Sequence, residues 1–316
     1  VILHYLNENK HTQLQHINSI RRIEANDAVW LDRFTIRNLE LVYPSQGEGK
    51  CLIDVLDKTK TPMGARLLKN WVLLPLIDEN AILRRQKLVE LFQHQEMAEP
   101  LIEQLKQIGD LERLISKVAM QRVNPREVNQ VKKALDAIVE IKSVLEAKSK
   151  NEFTALAEQI NHCNQVRKRI GHVIQDEPPV ATNKGGLIKD GIDADLDEYR
   201  KLATSGKDYL LQLQQSEIER TGITSLKIGF NNVFGYYLEV RNTHKDRVPD
   251  EWVRKQTLVS AERYITQELK EYEEKILSAE EKLIALEQKI YADLLAELAE
   301  YIQPIQQNSN TVARID

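Results

Sequence analysis

The chain has 316 residues with 44 Lys and Arg against 48 Asp and Glu, a net charge of −4, 42% hydrophobic and 29% charged residues, and only 12 Gly. That balance describes a helix-rich protein of roughly two domains with a sizeable core, and it excludes one that coats nucleic acid uniformly while leaving room for a local basic patch. No apolar run approaches the ~18 residues of a membrane span, Val1 to Lys10 has no leader pattern, and two distant cysteines, Cys51 and Cys163, fit a reducing, cytoplasmic setting.

Most of the chain reads as helix. Thr61-Pro62 opens one, with Met63, Leu67, Leu68 and Trp71 on one face and Trp71 expected in the core. Asp110, Glu112 and Arg113 read as a structural ion network. Asn124-Pro125-Arg126-Glu127 is a strong helix start, with Asn as N-cap, Pro at the first position and Glu at the third. Val128, Val131, Leu135, Ile138 and Leu145 continue its apolar stripe. Pro178-Pro179 and Lys184-Gly185-Gly186 mark a loop. Asp195 and Glu198, at capping-box spacing, open a helix that runs to about Arg220.

From Thr224 to Gln256 the period changes. Leu226, Ile228 and Phe230 alternate with Lys227 and Gly229, the period-2 pattern of a half-buried strand. Asn231, Asn232 and Gly235 supply turn chemistry, and Tyr236 to Val240 resumes a strand. Lys227, Arg241, Lys245, Arg247, Arg254 and Lys255 decorate the region. These six cations face four acids, Glu239, Asp246, Asp250 and Glu251. A basic tip suits phosphate contacts, which fix register without reading bases. The competing readings are ordinary surface cations and asparagines chosen for turn shape.

Helix resumes after this island. Leu269, Tyr272, Ile276, Ala279, Leu283, Leu286 and Ile290 form a heptad-like seam, with Glu273 and Glu274 among the solvated charges. At ~1.5 Å per residue the helix would be about 50 Å long. Its expected antiparallel mate is the Asp195–Arg220 helix, through Leu196, Leu202, Leu210 and Leu213. The fold class expected is therefore mainly α: a helical core with two long lever helices and an inserted small β-rich clamp. The boundaries are 1–203 for the first part of the core and lever, 204–265 for the clamp, and 266–316 for the return.

Catalytic and metal motifs are missing. Ser205-Gly-Lys207 is followed by Asp208 and is not a phosphate loop. His162, Cys163 and His172 lack further ligands at site spacing. No catalytic residue, metal ligand or bound cofactor is expected in this chain.

Phe230-Asn-Asn-Val-Phe-Gly-Tyr-Tyr237, Arg254-Lys-Gln-Thr-Leu258 and Glu262-Arg-Tyr-Ile265 closely resemble the clamp of the MutS mismatch-repair family. Leu31 to Leu41, Thr61 to Trp71, Asp110 to Arg113 and Asn124 to Arg126 resemble further stretches of that family's core, in the same order. The resemblance implies a core, lever and clamp, holding duplex DNA by its backbone through Lys227, Asn231, Asn232, Arg241, Lys245, Arg247, Arg254 and Lys255. It also implies a dimeric parent whose mismatch-reading, connector and ATPase domains, with their ATP and Mg, lie outside this piece. A MutS-like protein acting on branched DNA, or a coiled-coil spacer whose tip binds protein, are the alternatives.

Overall fold

The structure is a computed structural model that describes residues 4–5, 8–9, 28–45, 47, 49–94, 97–148, 151–231, 233 and 235–316. It is mainly α with one small antiparallel sheet, as expected. The chain divides into two compact units, residues 1–181 with 292–316, and residues 182–291. The 204–265 segment lies inside the second unit, which also takes in residues 182–203 and 266–291.

The first unit is helical. Its described elements are α1 (Arg33–Asn38), α2 (Leu52–Leu56), α3 (Pro62–Leu73), α4 (Glu79–His94), α5 (Ala98–Ile108), α6 (Leu111–Ala119), α7 (Pro125–Glu146), α8 (Asn151–Glu158) and α9 (Asn164–Val173). The end of α11 (Gln267–Ala299) and all of α12 (Ile302–Ile315) complete it. Helix α7 is central, packing on α5, α6, α8 and α9, because its apolar stripe from Val128 to Leu145 is fully buried. Its expected capping box is present: the Asn124 side chain accepts from the N–H of Glu127, and Glu127 accepts from the N–H of Asn124, both at 3.0 Å.

Two long-range polar contacts tie α12 into this core. Asn308, fully buried, exchanges two 2.7 Å hydrogen bonds with the backbone of Asn161. Asp316 accepts from the N–H groups of Lys60 and Thr61 at 2.8 Å and from the Thr61 hydroxyl at 2.7 Å. A side chain at Gly64 would collide with that carboxylate. Trp71 departs from expectation: it is half-buried, and the Arg85 guanidinium lies over its ring at 3.8 Å. The Asp110 network is present through Arg66, which bonds Asp110 and Glu112 at 2.7 Å each, while Arg113 joins it through its backbone N–H.

The second unit is built on α10 (Ala194–Thr221) and residues 267–291 of α11. The start of α10 corrects the expected cap: Asp193 holds the N–H of Leu196 at 3.0 Å, and Asp195 sits in the first turn. Arg200 lies opposite Glu287, and Tyr209 opposite Glu268 and Tyr272, so the helices run antiparallel. The expected apolar seam is present in part: Leu196, Leu210 and Leu213 are buried, the last two in one core with Leu269 and Ile276. Leu202 is 48% exposed, because it stands six residues from Leu196, about 120° around the helix.

Arg200 and Glu287 share that seam. Glu287 is fully buried and bonds Arg200 at 2.7 Å and the N–H of Leu187 at 3.3 Å. Arg200 also donates to the carbonyl of Ile188 at 2.6 Å and to Asp190 at 2.7 Å. Higher up, Tyr209 stacks on Tyr272 at 3.6 Å between ring centroids and donates its hydroxyl to Glu268.

The sheet has strands β1 (Lys227–Asn231), β2 (Gly235–Arg241), β3 (Val253–Thr257) and β4 (Ala261–Ile265), in the order β1-β2-β4-β3. One face is apolar. Leu238, Val240 and Tyr264 pack with Leu226 and Trp252 against Leu210 and Leu213 of α10 and Leu269 and Ile276 of α11. Among the described residues no helix is long and apolar enough to cross a membrane.

Removing one partner of a buried ion pair strands the other, at a cost of about 3–5 kcal/mol. Arg200→Met should therefore lower unfolding stability by that amount in denaturant titration, and Arg200→Met with Glu287→Met should recover most of it. A single-variant loss below about 1 kcal/mol, the range of an exposed pair, would contradict this reading.

Candidate nucleic-acid interface

Strand register sorts the sequence-predicted residues into two places. Lys227 stands opposite Glu239, Glu239 opposite Arg263, and Arg263 opposite Gln256, one row across all four strands. Arg241, two residues beyond Glu239, projects from the same face. A 3-10 helix, Asn242–Arg247, follows directly and carries Lys245. The turn between β3 and β4 closes at this same end, where Asn242 bonds the carbonyls of Val259 and Ser260. Lys227, Arg241, Lys245 and Lys255 are all exposed. Among the described residues, none of these four side chains makes a hydrogen bond or an ion pair, and Lys245 acts on Glu262 only at a distance.

Lys255 owes its position to a bulge. Arg254 pairs with Tyr264 and Gln256 with Arg263, so Lys255 is the extra residue, without a partner across the ladder. A bulged edge strand carrying Arg and Lys also blocks edge-to-edge pairing. The same sequence thus keeps the free edge soluble and presents a cation on it.

The other candidates have structural employment. Arg247 donates to the carbonyl of Gly222 at 3.0 Å, at the left-handed C-cap of α10. Arg254 lies on the apolar face's side of the sheet, 3.3 Å from Glu262. Asn231 accepts from the N–H of Val233 at 2.8 Å, a local turn bond. It pairs with Gly235, four residues below Glu239, or about 14 Å at strand rise. Asn231 is therefore at the end of the sheet away from the cation group. Asn232 lies outside the described residues.

Two residues were not singled out by sequence, Arg263 beside the cations and Glu273 at the opposite end of the sheet. Arg263 lies over the Tyr237 ring at 4.2 Å, donates to Glu239 at 3.0 Å and to Gln256 at 2.9 Å, and so fills the middle of the solvent face. Glu273, expected on a solvated face, reaches the N–H of Tyr236 at 3.3 Å and crowds Gly235. Gly235, at φ +82°, is thus required both by its backbone shape and by that carboxylate. Gly229 has a different reason: the Tyr237 ring lies across it, and an added Cβ would come within 2.7 Å of that ring.

The family model that matches this chain describes MutS domain III and covers residues 34–316. The chain belongs to the MutS domain III family. It is 56% identical over 316 residues to the DNA mismatch repair protein MutS of Parabacteroides distasonis, 55% to that of Bacteroides fragilis and 57% to that of Cytophaga hutchinsonii. In each case all of this chain aligns, and it spans 36–37% of the relative's length. The resemblance of the clamp and core motifs to MutS is thereby established across the chain.

Two tyrosines of this MutS unit titrate late. Tyr264 is pushed up to about 12 by burial, then by its hydrogen bond to Glu262. Tyr209 is pushed up to about 12 by its bond to Glu268 and then by burial. A free tyrosine titrates near 10. Their folded values are raised, so their contribution is fully present below about pH 10 and is lost as pH rises through about 12. The thermal midpoint should fall over that window, and fall less in Tyr209→Phe with Tyr264→Phe. Equal alkaline sensitivity in the two proteins would contradict the assignment.

Proposed function

We propose that this chain grips duplex DNA by its phosphate backbone, without sequence preference, at the end of the sheet that carries Lys227, Arg241, Lys245 and Lys255. The single observation behind this reading is that these four exposed side chains make no hydrogen bond or ion pair among the described residues, while neighbouring Arg247, Arg254 and Arg263 are spent on the fold. Free ammonium and guanidinium groups gain by displacing condensed counterions from DNA. The relatives' printed name, DNA mismatch repair protein, supports the same direction.

The reading extends to coupling. Helices α10 and α11, stapled by Arg200–Glu287 and by the tyrosine stack, act as a stiff lever. Residues of both compact units lie on the single helix α11. In the longer protein the lever would link the grip to an ATP- and Mg-dependent domain outside this chain. Two copies would enclose the duplex, in the cytoplasm. Coupling of this kind requires that each site bias one shared two-state element.

Four neutralised phosphates predict a slope of log K against log salt of about −3.6 in fluorescence-anisotropy titrations, with Kd on the order of 10⁻⁴ to 10⁻⁶ M near physiological salt. Lys227→Ala or Lys255→Ala should flatten the slope by about one. Arg247→Ala should cost stability and leave the slope nearly unchanged. Matched and mismatched duplexes should bind alike. A salt-independent interaction would point to a protein-binding tip instead.

A further inference from the structure

The first unit contains a cleft of about 380 Å³ between the C-terminus of α5, helix α6 and the first turns of α7. Its charged lining is Lys106, Arg113, Lys117 and Lys133 against Asp110 and Glu127. Both carboxylates are already occupied. Asp110 takes the forked guanidinium of Arg66 at 2.7 and 3.0 Å and caps α6. Glu127 takes the ammonium of Lys117 and the N–H of Asn124. Lys106 turns to Glu103 at 2.6 Å.

Among the described residues, the cations of the cleft without an ion pair are Arg113, which Asp110 feels electrostatically, and Lys133. Both are exposed, and neither side chain has a hydrogen bond or ion pair among the described residues. Gly109, on the same wall at φ +64°, has a backbone N–H without an acceptor there, and open space where a side chain would stand. Cations gathered on one concave wall repel each other unless an anion sits between them. A guanidinium offers a planar fork to two oxygens, and an ammonium adds a compact second charge. Donors on two side chains suit the three or more oxygens of a phosphate-class anion better than the two of a carboxylate.

We propose that this cleft binds a multivalent oxyanion of the phosphate class, with Arg113 forking onto two oxygens and Lys133 supplying the second charge. The site lies in the first unit and shares no residue with the DNA-gripping end of the sheet, so it stands or falls separately.

The test is calorimetric titration of the chain with inorganic phosphate, at ionic strength held constant with chloride. The expected result is saturable binding near one phosphate per chain, with competition by sulfate and not by chloride. Arg113→Gln and Lys133→Gln should each weaken it about tenfold or more, the loss of one charge-assisted contact. Lys133→Arg should retain it, and Lys227→Ala should leave it unchanged. Unchanged thermal midpoints in phosphate-free buffer would show that the variants fold. No saturable heat, or equal affinity in Arg113→Gln with Lys133→Gln and the parent, would overturn the proposal.

Discussion

A carboxylate inside a helix pair has to be neutralised where it sits, and the second unit is organised around that requirement. Glu287 is buried completely, and Arg200 meets it from the other helix while holding the carbonyl of Ile188 and the carboxylate of Asp190. The pair can form at one register only, because a slip by one turn would leave both charges stranded in the interior. That fixes which residues of α10 face which residues of α11. The tyrosine stack and the apolar bed beneath the sheet follow from this alignment. A leucine seam would tolerate sliding more readily.

The clamp's charges are sorted by the same economy of partners. Where a carboxylate, carbonyl or aromatic ring lies within reach, the cation builds structure: Arg263 with Glu239 and Tyr237, Arg254 with Glu262, Arg247 with the end of α10. Where the carboxylate in reach is already taken, as Glu239 opposite Lys227 is by Arg263, the cation stays exposed. A sheet of four strands with its apolar face committed to the helices has one face and one far end to spare. The unpaired cations occupy both. Binding through phosphates asks for little more, since position and charge matter and base edges do not.

What could be read from sequence was local. The capping box at Asn124, the Thr61 start and a strand beginning near Lys227 are each decided within a few residues, and the structure bears them out, although Phe230, expected on the buried face of that strand, is exposed. What could not be read depends on distance or on accumulated phase. A strict seven-residue repeat points to Leu286, yet a straight helix returns to the line of Leu269 after about eighteen residues, five full turns, at Glu287. The same drift put Leu202 outside and Arg200 inside. Asp316 on Thr61 and Asn308 on Asn161 join positions far apart in the chain, and no local pattern announces them. At the candidate site, residue type identified the cations, but only the strand pairing separated Lys227 from Asn231 and showed Arg247 and Arg254 to be engaged.

The central claim is that unpaired cations at one end of the sheet meet phosphate while the paired ones hold the fold. Lysine acylation footprinting with and without saturating duplex, read residue by residue by mass spectrometry, addresses it directly. The account predicts strong protection of Lys227, Lys245 and Lys255, and unchanged reactivity at Lys270 and Lys275, which lie on α11 away from that end. Uniform weak protection of all five lysines, or protection confined to α11, would contradict it.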